Sequence, residues 1–375
     1  MSKKRIAILG VKYFPSRGGV SRVVEDTIIQ LKDQFDFTIY CYTHEDAQEN
    51  IPGVEVVQFP EPPMGALGVF YFYLKCTLHM LKRGDFDLVH VHKTDAAFFL
   101  PMLTKKFTVI ATSHEAPYKR DKWSKLGKAY FRMMERMFIR SKALITSISS
   151  PLSAYYLETY GREVKYIPNG VDITLQADEF AAEQRLHKHG VEGPYVFFAA
   201  RRIMATKGPQ HMLKALKKLN YQGTVVIAGD TTQLPAFTKQ CEELAQGLNV
   251  KFIGYVDNKE LLMGLVKKAD YFFFPSETEG MSIMLLEVGC MGTPIVASDI
   301  PENTAVFDPA ELLYFRNKDV DDLAEKFEWA MNHPEEMIQK AEKAQARVFH
   351  EYNREAVAQH YANLYIETAG GVVMA

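Results

Sequence analysis

Residues 272–299 read FFFPSETEGMSIMLLEVGCMGTPIVASD, with Glu279 and Glu287 eight positions apart around a glycine and an apolar run. The pattern is a buried strand, an acid-bearing loop, and a helix with a second acid in its second turn. A helix start offers unpaired N–H groups and a positive dipole end to a phosphate. Carboxylates beside such an anion site make sense if they are meant for hydroxyls, because a carboxylate accepts sugar O–H bonds well. Diphosphate and sugar together suggest a nucleotide-sugar. In a regular helix the eight-residue spacing would span about 12 Å, with both acids on roughly one face. Gly280 and Ser282 instead suggest that Glu279 sits on the loop and only Glu287 on the helix.

Other strand ends carry chemistry too. In AARRIMATKGPQHMLKAL, Arg202 and Lys207 lie five apart across a strand-to-helix turn, where a guanidinium fork and an ammonium point charge could clamp a diphosphate. Tyr255 follows the run VKFIG and is suited to stacking under a base, or to capping the core. Gly18 and Gly19 follow the first strand and open a helix, which permits close backbone approach by a ligand, although the pattern is not GxGxxG. His114, in TSHEAP, ends a strand and could bind a hydroxyl as a neutral imidazole, or be structural. The DxD of Asp85, Phe86 and Asp87 stands at the wrong end of its strand for a metal-diphosphate site. His90 and His92 lack the carboxylate or cysteine companions a metal requires. There is no GxSxG elbow and no P-loop lysine, so no metal site is expected.

These residues need elements to hold them. The 375-residue chain suits two domains. Short apolar runs alternate with helical patterns at 4–10, 37–42, 54–59, 87–92, 107–112 and 143–148, then restart at 195–200, 224–230, 250–256, 271–276, 294–298 and 312–315. Continuous apolar strands fit parallel sheets covered on both faces. The expectation is α/β: two consecutive Rossmann-like doubly wound domains, with a cleft between them and a C-terminal helix crossing back. The turn YIPNGVD sets the boundary, giving 1–170, 171–352 and a final helix within 353–375 that packs on the first domain.

The composition, 47% hydrophobic and 24% charged, is that of a globular chain, and no apolar run approaches the roughly 20 residues of a membrane span. Cys41, Cys76, Cys241 and Cys290 form no CxxC, so neither zinc nor disulfides are expected, and the cytosol is the expected compartment. Residues 1–172 hold 24 Lys and Arg against 18 Asp and Glu, and the remainder 20 against 28. Much of the basic surplus lies in 119–142, nine bases against two acids, with Lys128, Arg132, Arg136 and Arg140 every fourth residue. Leu126, Tyr130, Met133 and Met137 form an apolar stripe on another face. Such a helix either lies on an anionic membrane surface or turns its Met/Leu face into the core. No nucleic-acid partner is indicated.

Taken in order, FPSRGGVSRVV, DLVHVH, Thr112 with His114, IPNGVD, RIMATKG, IAGD, FIGYV, PSETEGMSIMLLE and GTPIVASDIPE resemble family 4 of the retaining glycosyltransferases, of GT-B fold, over about residues 5–300. The resemblance implies transfer of a hexose-type sugar, with retention and no obligatory metal, from a nucleoside-diphosphate sugar to a hydroxyl. UDP-sugar is the first choice of donor, with GDP- or ADP-sugar as alternatives. The acceptor would be a glycan or a lipid-linked acceptor of envelope polysaccharide or glycolipid assembly. By the same resemblance the second domain binds the donor and the first the acceptor. Arg202 and Lys207 would hold the diphosphate and Glu279 the sugar hydroxyls. The amides of Gly280, Met281, Ser282 and Ile283 would line sugar and phosphate, and Glu287 would take the ribose. Gly18 and Gly19 would sit beside the phosphates and His114 near the sugar. Two departures stand out: Arg201 replaces the glycine common before the arginine, and Ser282 replaces a glycine in the acidic loop. The rival readings are a GT-B-fold epimerase, for which no acid/base set is found, and a non-catalytic sugar-nucleotide binder.

Overall fold

The chain begins with the apolar run of β1 (Lys4–Leu9), buried from Ile6 onward. The computed structural model describes residues 3–16, 19–43, 51–119 and 124–369. After β1 come α1 (Val20–Leu31), β2 (Phe35–Tyr42), β3 (Val54–Phe59) and α2 (Gly65–Arg83). Next are β4 (Leu88–His92), a 3-10 turn (Thr94–Phe99) running into α3 (Leu100–Leu103), and β5 (Thr108–Ser113). Then follow α4 (Lys125–Ile139), β6 (Leu144–Ser147), α5 (Ser150–Tyr160) and β7 (Lys165–Tyr166). Strand follows strand only after a crossover, so the described strands pair parallel, in the order β3-β2-β1-β4-β5-β6-β7. β4 is buried at every position because both faces are covered. Val24 and Ile28 of α1 pack on one face and Phe72, Cys76, Phe138 and Tyr156 on the other.

The second unit holds α6 (Glu179–Lys188), β8 (Tyr195–Arg202), α7 (Pro209–Lys218), β9 (Thr224–Asp230), α8 (Pro235–Ala245) and β10 (Asn249–Gly254). It continues with α9 (Lys259–Lys267), β11 (Tyr271–Phe274), α10 (Ile283–Met291), β12 (Ile295–Ser298), α11 (Pro301–Thr304), β13 (Leu313–Phe315), α12 (Val320–Asn332) and α13 (Pro334–Glu351). Its sheet is also parallel, ordered β10-β9-β8-β11-β12-β13. The chain winds outward from β8 on one side and from β11 on the other, which makes the boundary between those two strands the topological switch point of the sheet. This unit spans Val171–Asn353, and the other runs to Gly170 and resumes at Arg354. The last helix, α14 (Arg354–Ala369), thus belongs to the first unit, where it packs on α1 and places Tyr361 and Tyr365 in the core.

One expectation needs correcting. The Met/Leu stripe of α4 does not enter the core: Leu126 is 84% exposed, Met133 50% and Tyr130 39%. The core side is Met134, Phe138 and Ile139, with Met137 only partly covered. Between those residues lies Glu135, which breaks the apolar reading of that face, yet it is buried and takes hydrogen bonds from Tyr160 (2.9 Å) and Tyr118 (3.2 Å). Burial raises its pKa, opposed by those phenols. These phenols, with that of Tyr155 (3.5 Å), all donate to Oε1, while Oε2 has no hydrogen-bond partner among the described residues, so the carboxyl holds a core position only half satisfied.

All four cysteines are buried free thiols. Among the described residues, no helix is long and apolar enough to cross a membrane.

Candidate functional site

The strand-end chemistry of the second unit gathers where β8 and β11 part. β8 ends in a bulge that shifts its register against β9 between Ala199 and Arg202, and Ile203 N–H donates to Asp230 O at 3.0 Å. This leaves Arg202 exposed at the strand's carboxyl end. A single 3-10 turn, Ala205–Lys207, then leads into α7 through Gly208, which has φ 75°. A Cβ there would stand 1.9 Å from Pro275 O, so only glycine lets the two loops approach this closely. Across the junction Glu277 N–H donates to Thr206 O (2.9 Å), and Lys207 Nζ donates to Glu279 Oε1 (2.6 Å). Lys207 and Glu279 are 32% and 10% exposed at the side chain, so both are reachable yet largely shielded from water, where charge interactions strengthen.

Glu279 lies in the loop and Glu287 in α10, the division that Gly280 and Ser282 imply. Ser282 is the N-cap, its hydroxyl accepting from Leu285 N–H at 3.3 Å, so this departure from glycine serves the helix start. Met281 is buried, while Gly280, Ser282 and Ile283 are partly exposed around the cap. The first-turn amides of α10 face the end of the helix that favours negative charge. Glu287 is ion-paired with Lys259, the first residue of α9, whose own start is capped by Asn258 accepting from Leu261 N–H (2.7 Å). Tyr255, one residue beyond β10, is half exposed.

Two partners escaped the sequence reading. Lys259 is one. The other is a clamp centred on Glu277, whose Oε1 is 2.8 Å from His211 Nε2 and accepts from Gln210 at 3.1 Å, while Oε2 lies 3.0 Å from Lys318 Nζ. Asn317 adds an Nδ2 donation to Glu277 O (3.3 Å) and an N–H donation to Asp299 (2.8 Å). Loops after β8, β11 and β13 are thereby tied together behind Lys207 and Glu279. Nothing in the spacing of residues 211, 277 and 318 announces this, because each comes from a different strand end.

The remaining candidates belong to the first unit. Gly19 is the N-cap of α1 at φ 62°, and among the described residues nothing beyond its chain neighbours lies within 4 Å of where a side chain would start. Gly18 lies outside the described residues. His114 follows β5 and is buried, its Nε2 3.1 Å from His92 Nδ1. His90 in turn meets Tyr365 (2.7 Å) through Nδ1 and Thr112 (2.6 Å) through Nε2, and its ring lies 3.8 Å from that of His92. Burial pushes His90 and His114 down to about 3 and His92 well below its ordinary value, so all three are neutral hydrogen-bonding groups. Asp85 and Asp87 are held by Arg5 and Arg83 at the start of β4, with Arg83 lowering the pKa of Asp85. Among the described residues no group of three His, Cys, Asp or Glu is arranged to hold a metal ion.

Two successive parallel-sheet α/β units, with a loaded switch point in the second, are the GT-B architecture. Sucrose-phosphate synthase from Thermosynechococcus elongatus shares that fold at TM-score 0.83 and 18% identity, over 97% of this chain and 99% of that one. Anabaena HepE, solved in complex with UDP and glucose, shares it at TM-score 0.79 and 18% identity, over 96% and 99%. The profile "Glycosyl transferases group 1" matches residues 182–347 and "Glycosyltransferase Family 4" matches 17–175, and the chain belongs to this glycosyltransferase family. A phosphatidyl-myo-inositol mannosyltransferase of Mycobacterium tuberculosis is 29% identical over 252 residues, 65% of this chain. That match spans 62% of the relative's own length.

Proposed function

We propose that the protein transfers a hexose-type sugar, with retention, from a nucleoside-diphosphate sugar to a hydroxyl of a glycan or lipid-linked acceptor in envelope polysaccharide or glycolipid assembly. The observation that carries this reading is the Lys207–Glu279 pair at the β8/β11 switch, with Arg202 and the capped start of α10 at the same strand ends. A diphosphate that takes Lys207 leaves the carboxylate of Glu279 to sugar hydroxyls. Arg202, Lys207 and the α10 amides then offset the charge that develops on the departing diphosphate. Glu287, with Lys259 beside it, takes the ribose hydroxyls, and the exposed face of Tyr255 stacks on the base. No side chain is assigned as nucleophile: the acceptor hydroxyl attacks the face that the diphosphate leaves, and a leaving phosphate oxygen takes its proton. The first unit, through residue Gly170, serves the acceptor. UDP is the first choice of nucleotide, supported by the UDP found in the HepE complex, with the protein acting on the cytoplasmic side of the envelope.

A thermal-shift screen with UDP-, GDP- and ADP-sugars tests the donor assignment, because a bound ligand raises apparent stability. One nucleotide class should stabilise the protein, and Arg202→Ala should abolish the shift. Stabilisation by none of the three, or an unchanged shift in Arg202→Ala, contradicts it.

A further inference from the structure

Away from the donor site, the first unit exposes an apolar surface that its core does not use. On α2 and the residue before it, Met64, Leu67, Phe70, Tyr71 and Leu78 are 59%, 69%, 36%, 45% and 51% exposed, at helical spacing along one side. The 3-10 turn after β4 adds Phe98, 48% exposed, whose ring centroid is 5.3 Å from that of Phe70. The same turn packs against α4, which presents Leu126, Tyr130 and Met133 outward. Asp95, at the second position of the turn, accepts from Tyr73 of α2 at 3.2 Å and adds, after burial, to the raised pKa of Tyr130 on α4. The three elements thus meet around Asp95 and Phe98. Isolated exposed apolar residues need no explanation, but a row shared by adjoining elements marks a contact surface.

The exposed charge on α2 and α4 is basic, Asp95 lying partly buried between them. α2 contains no Asp or Glu and carries Lys75 and Lys82, with Arg83 at its end paired to Glu55 and Asp85. On α4 the one acid, Glu135, is buried under its tyrosines, while Lys125, Arg132, Arg136 and Arg140 are exposed. Arg132 lies over the Tyr118 ring, 5.3 Å from its centroid. Among the described residues no carboxylate pairs with Lys125, Arg132, Arg136 or Arg140. An apolar row bordered by cations fits an interface whose outer layer is anionic and whose interior is hydrocarbon. A second copy of the chain would set these cations against themselves.

We propose that α2, the 94–99 turn and α4 form a docking surface for an anionic lipid bilayer, with Leu67, Phe70, Phe98, Leu126, Tyr130 and Met133 entering the acyl boundary and the α4 bases meeting lipid phosphates. The surface exists whether or not the donor assignment holds. If both hold, it brings a lipid-linked acceptor to the first unit without a spanning helix.

The test is flotation of the full chain with phosphatidylcholine vesicles, with and without phosphatidylglycerol, at low and high salt. The protein should float only with the anionic vesicles at low salt. Arg132→Gln/Arg136→Gln/Arg140→Gln should weaken partitioning by about 100-fold. Leu67→Ser/Phe70→Ser/Leu126→Ser/Met133→Ser should abolish whatever binding survives at intermediate salt. Every substituted side chain is exposed, and an unchanged donor-induced thermal shift or far-UV circular dichroism spectrum would verify folding of each variant. No flotation with anionic vesicles at low salt overturns the proposal, as does flotation that neither variant reduces. A concentration-dependent dimer abolished by the serine variant, without vesicle binding, assigns the surface to a second copy instead.

Discussion

Lys207 shows how much one side chain carries at this site. It reaches Glu279 at 2.6 Å from a 3-10 turn, and in the proposed reaction it moves to the diphosphate as negative charge grows there. Lys207→Ala should therefore lower turnover by about 10²-fold or more, the scale of a lost transition-state electrostatic contact, with donor affinity falling less. Steady-state kinetics on a variant with a wild-type melting curve checks this, and near-wild-type turnover would remove Lys207 from the mechanism. A second residue-scale prediction concerns His90, His92 and His114, whose native pKa values are depressed below the unfolded value of about 6.5. Below that pH the unfolded chain takes up protons that the native state refuses, so stability falls as pH falls from about 6.5 toward 3. From pH 7 to 5 each histidine that stays neutral costs about 2 kcal/mol, partly offset by the raised carboxyls of Asp95 and Glu135. Ring-proton NMR of His90 and His114 should show no titration between pH 8 and 5; a midpoint near 6.5 would refute their burial as neutral groups. The positions of Glu279 and Glu287 were legible from Gly280 and Ser282, which end a loop and start a helix. Their lysine partners differ in this respect: Lys207 lay in a recognisable R-x4-K pattern, whereas Lys259 becomes the neighbour of Glu287 only when α9 packs beside α10.

Between elements, the decisive contact is the approach of the β8–α7 turn to the end of β11. Gly208→Ala puts a Cβ against Pro275 O at a left-handed φ, so it should destabilise the protein by about 2 kcal/mol or more and loosen Lys207. A lowered melting temperature with a reduced donor-induced shift is expected, and wild-type values for both would count against this role. The Glu277 clamp makes a separate prediction. Glu277→Ala releases His211, Gln210 and Lys318 together, so kcat/KM for the donor should fall by about 10- to 100-fold through misplacement of the loops, with Glu277→Gln retaining more activity. Equal losses in the two variants would mean that the charge, rather than the linkage, matters. Among helices the sequence was least informative at α4. Its 126/130/133 stripe and its 134/138/139 face are both apolar at helical spacing, and Glu135 argued against the true core side. The phenols of Tyr118, Tyr155 and Tyr160, from other segments, are what admit that carboxyl to the core.

Across the whole molecule, two rounds of apolar runs separated by helical stretches were enough to indicate two parallel sheets, because a strand buried on both faces cannot alternate in polarity. Strand order was not legible in that way: the places of β8 and β11 beside each other follow from which crossovers go outward to each side, and that choice creates the switch point where Lys207 meets Glu279, with Arg202 at the end of β8. The return of α14 to the first unit depends on Tyr361 and Tyr365 filling its core. The whole account stands on transfer, as opposed to mere binding, of a nucleotide-sugar. It is tested most directly by following nucleoside diphosphate release from the stabilising donor, with and without glycan and lipid-linked acceptors, in the wild type and in Lys207→Ala. The account predicts release that requires an acceptor, matches glycosylated product one for one, and drops by about 10²-fold in the variant. Donor binding with no release on any acceptor, or release at one rate with and without acceptor, would contradict it.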